Sequence, residues 1–296
     1  MADLVKMHAQ MQNGAGFIAA LDQSGGSTPK ALGMYGVDES MYNSDVEMFA
    51  EMQNMRERII LAPDFTSDKV IGAILFERTL GEAINGTPVA EYLWGEKQIV
   101  PFLKIDKGLE DQANGVQLMK PMPGLNEVLA KAAGMGVFGT KERSVIHEAN
   151  EVGIKAVVAQ QFDVARQVIA AGLVPIVEPE INITSATKAE AEVMMRDAIQ
   201  AELDGLDDTQ NVILKLTLPE SANAYDNLAV HARVVRVVAL SGGYSTDEAS
   251  QRLSKNTHMI ASFSRALTEG LKKQMSDAEF ASAIGKNINQ IYGASL

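Results

Sequence analysis

The sequence contains no cysteine, has fewer basic than acidic residues, and lacks any long apolar run. Without cysteine the chain can form no disulfide, no thiolate nucleophile and no Cys-ligated zinc or iron–sulfur site. Lys and Arg number 26 against 38 Asp and Glu, and the net charge of −12 argues against non-specific binding to nucleic acid or to an anionic membrane. The longest aliphatic stretches, such as residues 70–76, are too short to span a bilayer.

Composition and the N-terminal residues place the chain among ordinary globular proteins. Hydrophobic residues make up 46% and charged residues 22% of the 296, which excludes intrinsic disorder. The first twenty residues lack the basic start and long apolar run of a secretory signal, so we expect a cytoplasmic protein. No linker rich in Pro or Ser interrupts the chain, and we therefore expect one domain over residues 1–296 rather than two.

Short apolar segments alternate with longer amphipathic segments along the whole chain. The apolar segments predict eight strands, at residues 17–22, 70–76, 99–106, 136–145, 174–181, 212–218, 234–241 and 259–264. The amphipathic segments predict helices at residues 125–133, 150–171, 186–203, 246–255 and 276–291. Eight strands separated by helices predict an α/β fold, a single (β/α)8 TIM barrel, with an open doubly wound sheet as the alternative. The segments 1–15 and 276–296 are expected as short helical additions at its two ends.

Several predicted strands carry charged residues near their C-terminal ends. In residues 212–218 the alternation of side chains places Val212 and Leu214 on the outer face and Lys215 on the inner face. The same reasoning, applied to five strands, gives eight charged residues on inward positions: Asp22, Lys104, Asp106, Lys141, Arg143, Glu178, Glu180 and Lys215. Any single pair could be a strand-end salt bridge, but burying the whole set is costly unless function requires it. We therefore expect an active site at the C-terminal mouth of the barrel.

Two loops rich in Gly and Ser follow predicted strands. Residues 240–243 end the seventh strand, residues 24–27 follow the first, and Arg265 comes just after the eighth. Glycines allow backbone N–H groups to turn toward an anion, and barrel phosphate sites commonly use the loops after strands seven and eight. The two loops, beside several lysines, predict binding sites for two phosphates.

A buried lysine among carboxylates suggests covalent chemistry with a carbonyl compound. An uncharged amine can form a Schiff base with a ketone or aldehyde. Lowering the pKa of a lysine from about 10.4 to about 7–8 takes roughly 4 kcal/mol, which burial and a positive neighbour such as Lys141 can supply. Glu178 or Glu180 would serve as acid and base, and Asp22 could accept a hydroxyl proton when a carbon–carbon bond breaks. None of the four histidines forms a metal-ligand pair, although an Asp/Glu site for Mg²⁺ stays open.

Residues 134–139 match the dinucleotide-binding pattern G-x-G-x-x-G. That pattern has meaning only when it follows a strand and opens a helix. Here it follows a predicted helix and leads into a predicted strand. We therefore interpret these residues as a helix end followed by a turn.

Seven stretches resemble class I fructose-bisphosphate aldolase, the Schiff-base type: residues 20–27, 103–108, 141–143, 174–181, 212–218, 240–243 and 262–267. They occur in the family's order and span almost the whole chain. The resemblance implies a (β/α)8 barrel lyase of glycolysis and gluconeogenesis, with neither metal nor cofactor. Such an enzyme cleaves fructose 1,6-bisphosphate reversibly into dihydroxyacetone phosphate and glyceraldehyde 3-phosphate.

The resemblance also implies residue roles. It makes Lys215 the Schiff-base lysine and Glu178 the proton acceptor and donor beside it, with Lys141 and Glu180 assisting. Asp22 would handle the hydroxyl proton during cleavage. Seven further residues are implied in substrate binding: Ser241, Gly242 and Arg265 at the phosphate of the ketone end, Ser24, Ser27 and Lys104 at that of the aldehyde end, and Arg143 along the wall.

The sequence departs from the pattern of the animal enzymes at three places. Gln23 stands where an acidic residue usually follows the first-strand aspartate, and Ser264 stands where a glycine often precedes the phosphate-binding arginine. The terminal tyrosine of the animal enzymes has no clear counterpart, since Tyr292 lies near the end but not at it. The preference between bisphosphate and monophosphate sugars and assembly into a homo-oligomer stay open.

Three other functions stay open beside this one. A Schiff-base enzyme could act on another phosphorylated sugar or on a keto acid. A metal-dependent barrel lyase or isomerase would lose its activity in EDTA. A barrel that only binds phosphorylated metabolites would be unaffected by removal of Lys215.

Overall fold

The computed structural model describes the backbone of residues 2–24 and 27–296. Its main sheet contains eight parallel strands in chain order, each hydrogen-bonded to the next. They are β1 (Phe17–Leu21), β2 (Val70–Leu75), β3 (Val100–Lys104), β4 (Gly139–Ile146), β5 (Val174–Ile181), β6 (Val212–Thr217), β7 (Val234–Leu240) and β8 (Met259–Ala261). The Ala20 N–H donates to the Phe263 carbonyl at 3.2 Å, which links the first strand to the segment after the eighth. The predicted TIM barrel is therefore confirmed, and the open sheet is excluded.

Twelve α-helices surround or extend the barrel within the described residues. They are α1 (Ala2–Asn13), α2 (Ser27–Met34), α3 (Asp45–Ile60), α4 (Glu77–Leu80), α5 (Val89–Gly95), α6 (Leu125–Gly134), α7 (Glu151–Ala170), α8 (Lys188–Asp204), α9 (Asp226–Ala229), α10 (Thr246–Leu253), α11 (Arg265–Thr268) and α12 (Asp277–Ala294). A 3-10 turn spans Glu39–Met41, a small hairpin joins Ala83–Ile84 to Thr87–Pro88, and Val116–Gln117 pairs antiparallel with β4. No helix in this part of the chain is both long and apolar enough to cross a membrane.

Helix α3 is the longest element that the sequence pattern did not predict. It begins after Ser44, whose side chain accepts a hydrogen bond from the Glu47 N–H. Its buried face carries Met48, Met52 and Met55, and branched aliphatic residues follow only at its end, at Ile59 and Ile60. Methionine is flexible and fills irregular space, so this stripe packs well against the sheet although its periodic signal is weak.

The lower end of the barrel, where the strands begin, is closed by α1. Met7 and Met11 pack into an apolar cluster with inward-facing residues such as Phe102. The Arg236 side chain donates to the carbonyls of Met11 and Gly14, both at 3.0 Å, which fixes the end of α1 against β7. At the other end of the chain α12 packs on the outside of the barrel with an apolar face that includes Phe280.

The G-x-G-x-x-G segment is the turn that the sequence predicted. Helix α6 ends at Gly134, Gly136 has a left-handed φ of +77°, and β4 begins at Gly139. A Cβ at Gly139 would lie 2.1 Å from the Val174 carbonyl oxygen, so this glycine allows β4 and β5 to approach. The segment therefore serves strand packing and not dinucleotide binding.

Candidate active site

A cavity of about 510 Å³ opens at the C-terminal ends of the strands. All eight charged residues that the alternation placed inside the barrel line it, and so do Ser24, Ser241, Gly242 and Arg265. The cavity is also lined by polar residues that the sequence did not single out as part of the site: Gln23, Lys30, Ser262 and Ser264. Gly25, Gly26 and the side chain of Ser27 lie outside the described residues.

Lys141 forms the centre of the charge cluster. Its Nζ lies 2.6 Å from Asp22 Oδ2 and 2.9 Å from Glu178 Oε2. All three residues are buried. Side-chain alternation on β4 places Lys141 and Arg143 on the inner face, where the carboxylates from β1 and β5 converge.

Lys215 reaches the same carboxylate from the other side. Its Nζ lies 3.3 Å from Glu178 Oε1, and the residue is only 3% exposed. Glu178 is therefore placed between two lysines from different strands, so that one carboxylate contacts both amines. Lys215 also lies close enough for Glu178 to take or return a proton on its nitrogen.

The backbone of Glu178 is fixed by a buried glutamine on α7. The Gln161 side chain donates to the Glu178 carbonyl at 3.0 Å and accepts from the Glu178 N–H at 3.0 Å. It also donates to Ser144 Oγ at 2.6 Å. Gln161 was missed from sequence, although a polar residue on the buried face of an amphipathic helix is the signal that could have found it.

Electrostatics keep the cluster ionised. Burial alone would raise the pKa of Asp22, but Lys141 and Lys215 outweigh it and hold that pKa far below its usual range. Burial likewise opposes ionisation of Glu178, and the same two lysines lower its pKa overall. For Lys141 burial works against the charge, but Asp22 and Glu178 raise its pKa above the ordinary value. Lys215 therefore has a positively charged neighbour.

Two further ion pairs line the walls. Arg143 Nε donates to Glu180 Oε2, and Lys104 Nζ lies 2.6 Å from Asp106 Oδ1. Among the described lining residues six side chains are cationic and four are anionic, although the chain as a whole carries a net charge of −12. The cavity is thus more positive than the protein as a whole, which favours the binding of small anions there.

The loop after β7 lies beside Arg265. Gly242 and Gly243 have left-handed φ angles of +60° and +127°. A Cβ at Gly243 would lie 3.3 Å from Arg265 Nη2, so a larger residue there would crowd the guanidinium. Within the part of the chain that the structure describes, Arg265 forms no ion pair. Ser241, Gly242 and Arg265 thus lie together at the cavity, and the guanidinium is available for an anion.

One buried acid lies outside the cluster. Glu142, between Lys141 and Arg143 on β4, is fully buried, and neither carboxylate oxygen has a hydrogen-bond partner in the described structure. Burial raises its pKa well above the usual range, and the nearby charges of Asp106 and Glu178 add to this. Side-chain alternation directs Lys141 and Arg143 into the barrel, so Glu142 between them points away from the cavity.

The arrangement suits the attack of an amine on a carbonyl. It offers a buried lysine, a carboxylate within proton-transfer distance of that lysine, a second carboxylate on the opposite wall, and cationic side chains around them. No group of three or more His, Asp or Glu side chains among the described residues is arranged to hold a metal ion.

Comparisons with known proteins agree on one family. The family model for class-I fructose-bisphosphate aldolase matches residues 3–221. The class 1 fructose-bisphosphate aldolase of Synechocystis is 55% identical over 287 residues, which cover 97% of this chain and 96% of that protein.

Two solved structures are similar in fold. One is fructose-bisphosphate aldolase from Plasmodium falciparum in complex with TRAP and an inhibitor, with a TM-score of 0.71, 21% identity, and coverage of 99% of this chain and 94% of that chain. The other is a Corynebacterium glutamicum protein, with a TM-score of 0.56, 13% identity, and coverage of 99% and 92%.

Proposed function

The chain belongs to the class I fructose-bisphosphate aldolase family, and on that premise we propose that it cleaves fructose 1,6-bisphosphate through a Schiff base on Lys215, without a metal ion. The products are dihydroxyacetone phosphate and glyceraldehyde 3-phosphate, and the reaction is reversible. The observation that carries the proposal is the buried Lys215 Nζ, 3.3 Å from a carboxylate that Lys141 also contacts.

Imine formation uses Lys215 and Glu178. The Lys215 ammonium gives a proton to Glu178, and the free amine then attacks the substrate ketone carbon to form a C–N bond. Glu178 returns the proton to the hydroxyl that departs. In sum, one lysine ammonium and one ketone give one iminium and one water. Lys141 and Glu180 assist this step. They keep the carboxylates around the new C–N bond charged and in position.

Carbon–carbon cleavage uses Asp22. The Asp22 carboxylate takes the proton of the substrate hydroxyl two carbons from the iminium carbon, and the bond between the third and fourth carbons breaks. Its electron pair moves toward the iminium nitrogen, which becomes the neutral nitrogen of an enamine, and the aldehyde leaves. Protonation of the enamine carbon and addition of water then release the second product. Asp22 stays ionised for this step because Lys141 lies 2.6 Å away.

Substrate binding is assigned to the two ends of the cavity. Ser241, Gly242 and Arg265 hold the phosphate of the ketone end. Ser24, Ser27 and Lys104 hold that of the aldehyde end, while Arg143 lines the wall. A cationic cavity in an acidic chain supports this use of both ends for phosphate.

The proposed setting is the cytoplasm, with phosphorylated sugars as the ligands, no cofactor, and no nucleic-acid or membrane partner. The net charge of −12 supports the lack of a nucleic-acid or anionic-membrane partner. Association with a second copy of the chain stays open.

Borohydride reduction tests the chemistry. With dihydroxyacetone phosphate present, we expect borohydride to inactivate the enzyme irreversibly and to add one reduced substrate to the intact chain in its mass spectrum. Borohydride without substrate is the control and should leave activity unchanged. EDTA should leave cleavage of the bisphosphate at full rate. The absence of an adduct, or loss of activity in EDTA that added metal restores, would favour a metal-dependent lyase instead.

A further inference from the structure

Arg56, on α3, is a buried cation without a carboxylate partner. It is 2% exposed, and within the described part of the chain no Asp or Glu forms an ion pair with it. Burial lowers the pKa of its guanidinium to about 10, so it still carries its charge at neutral pH. Removing such a charge from water is costly unless strong hydrogen bonds compensate. The hydrogen bonds of the Arg56 guanidinium therefore indicate its role.

The guanidinium joins two loops of the barrel mouth. Nη1 donates to Thr79 Oγ1 at 2.8 Å, on α4 just after β2, and Nη2 donates to the carbonyl of Gln23, just after β1. Gln23 is the residue next to Asp22. The rigid planar fork of arginine can reach two acceptors on separate segments at once, which a lysine ammonium on a single stem does less well.

The Gln23 side chain extends the connection to a third loop. Gln23 Nε2 donates to Ser264 Oγ at 2.8 Å, and Ser264 directly precedes Arg265. Gln23 and Ser264 are also the two residues at which the sequence departs from the animal pattern near the site, and the structure brings them into contact across 241 residues of chain. The loops after β1, β2 and β8 are thus joined through Arg56 and Gln23.

We infer that Arg56 is a positioning residue for Asp22: it fixes the loop after β1 so that the Asp22 carboxylate meets the substrate hydroxyl. The inference rests on the proposed function. Lys215 and Glu178 lie on β6 and β5 and have no hydrogen bond to Arg56, so Schiff-base formation does not depend on it. Loss of Arg56 consequently slows cleavage and spares imine formation. A displacement of about 1 Å in a reacting group can cost on the order of 100-fold in rate.

The test compares two rates in one variant. In the full-length Arg56→Met variant we expect kcat for cleavage of fructose 1,6-bisphosphate to fall about 10- to 100-fold. Borohydride trapping of dihydroxyacetone phosphate should stay within about twofold of the wild-type rate. Arg56→Lys, which keeps the charge but not the fork, should recover part of the lost cleavage rate. General damage to the fold would lower cleavage and trapping together.

Two further variants keep the test decisive. Arg58→Met is the matched control, because Arg58 lies on the same helix but donates to the Met275 carbonyl and Asp277, away from the mouth. It should change neither rate. If Arg56→Met does not fold, Thr79→Val removes one of the two hydrogen bonds with little change of volume, and it should slow cleavage several-fold more than trapping.

The outcomes separate the two proposals. Unchanged cleavage in Arg56→Met, or a parallel fall of cleavage and trapping in the variants that fold, overturns the positioning role. Failure of the wild-type enzyme to trap substrate overturns the Schiff-base function instead, whatever the Arg56 variants do.

Discussion

The two ends of the barrel interior are built from the same strands but have opposite character. On β3 the inward residue Phe102 belongs to the apolar cluster at the floor, and two residues later the inward Lys104 lines the mouth. The floor is closed by Met7 and Met11 of α1, and Arg236 contacts backbone carbonyls there rather than a carboxylate. The described part of the mouth collects ten charged residues, and eight of them are paired with an opposite charge. In a parallel barrel, stability comes from the closed end and chemistry from the open one.

This difference separates two kinds of mutational effect. Buried ion pairs are often no more stabilising than apolar residues of the same size, because desolvation offsets their attraction. A change at the mouth that leaves the remaining charges paired should therefore abolish the reaction with little loss of stability. Changes at the floor should lower stability with little effect on the reaction.

Replacement of Lys215 should give the largest effect. Lys215→Met removes the proposed nucleophile, so we expect kcat for bisphosphate cleavage to fall by more than about 1,000-fold. Glu178 keeps its second partner, Lys141, and the melting temperature should therefore stay the same or rise. Steady-state kinetics and a thermal melt on one preparation check both points. Retention of a tenth or more of the activity would contradict the assigned role.

The matching change at the floor is Phe102→Ala. Phe102 is fully buried and packs edge-on against Phe138 with ring centroids 5.5 Å apart. We expect a loss of about 3–5 kcal/mol in the free energy of unfolding, measured in denaturant. The activity per folded molecule should remain within about threefold of wild type. If Phe102→Ala lost activity but kept its stability, the assignment of stability to the floor and chemistry to the mouth would be wrong.

Arg265→Met should weaken substrate binding. A hydrogen bond to a charged group contributes about 1.5–3 kcal/mol, so KM for the bisphosphate should rise about 10- to 100-fold. Fructose 1-phosphate carries the same ketone-end phosphate and should suffer equally. A KM that rises for the bisphosphate but not for fructose 1-phosphate would show that Arg265 serves the aldehyde end of the cavity.

Glu142→Gln tests the isolated acid on the outer side of β4, and its effect on activity is the smallest. Because the pKa of Glu142 is raised in the folded state, its contribution to stability is complete below the unfolded pKa and declines as pH rises toward the folded one. The decline is about 1.4 kcal/mol per pH unit in that window. Glutamine does not titrate, so the variant should gain melting temperature over wild type at pH 8 but not at pH 4. An equal difference at both pH values would mean that Glu142 does not titrate as described.

Alternation and hydrophobic pattern were enough to predict the barrel and its charged mouth. A strand's period of two fixes which side chains face inward, so the residue pattern by itself places Lys215 and Glu178 in one cavity. The eight strands were found because parallel strands are continuously apolar.

Contacts made by side chains from distant segments could not be predicted. The hydrogen bond from Gln23 to Ser264 depends on how two loops meet, and nothing in either local sequence encodes it. From sequence alone, Arg56 resembles a surface residue because the segment around it is charged. Glu142 alternates with two inward-facing cations on β4, so the pattern alone places its side chain in solvent. Both are buried because neighbouring elements cover them, and this is a property of tertiary packing.

Peptide mapping after borohydride reduction tests the central claim most directly. Four lysines line the described part of the mouth, at position 30 on α2 and at positions 104, 141 and 215 on β3, β4 and β6, and all could reach a carbonyl in the cavity. Digestion of the enzyme reduced in the presence of dihydroxyacetone phosphate should place the modification on Lys215 alone, and Lys215→Met should remove it without moving it to another lysine. A modification on Lys141 or Lys104 in the wild-type protein would contradict the account.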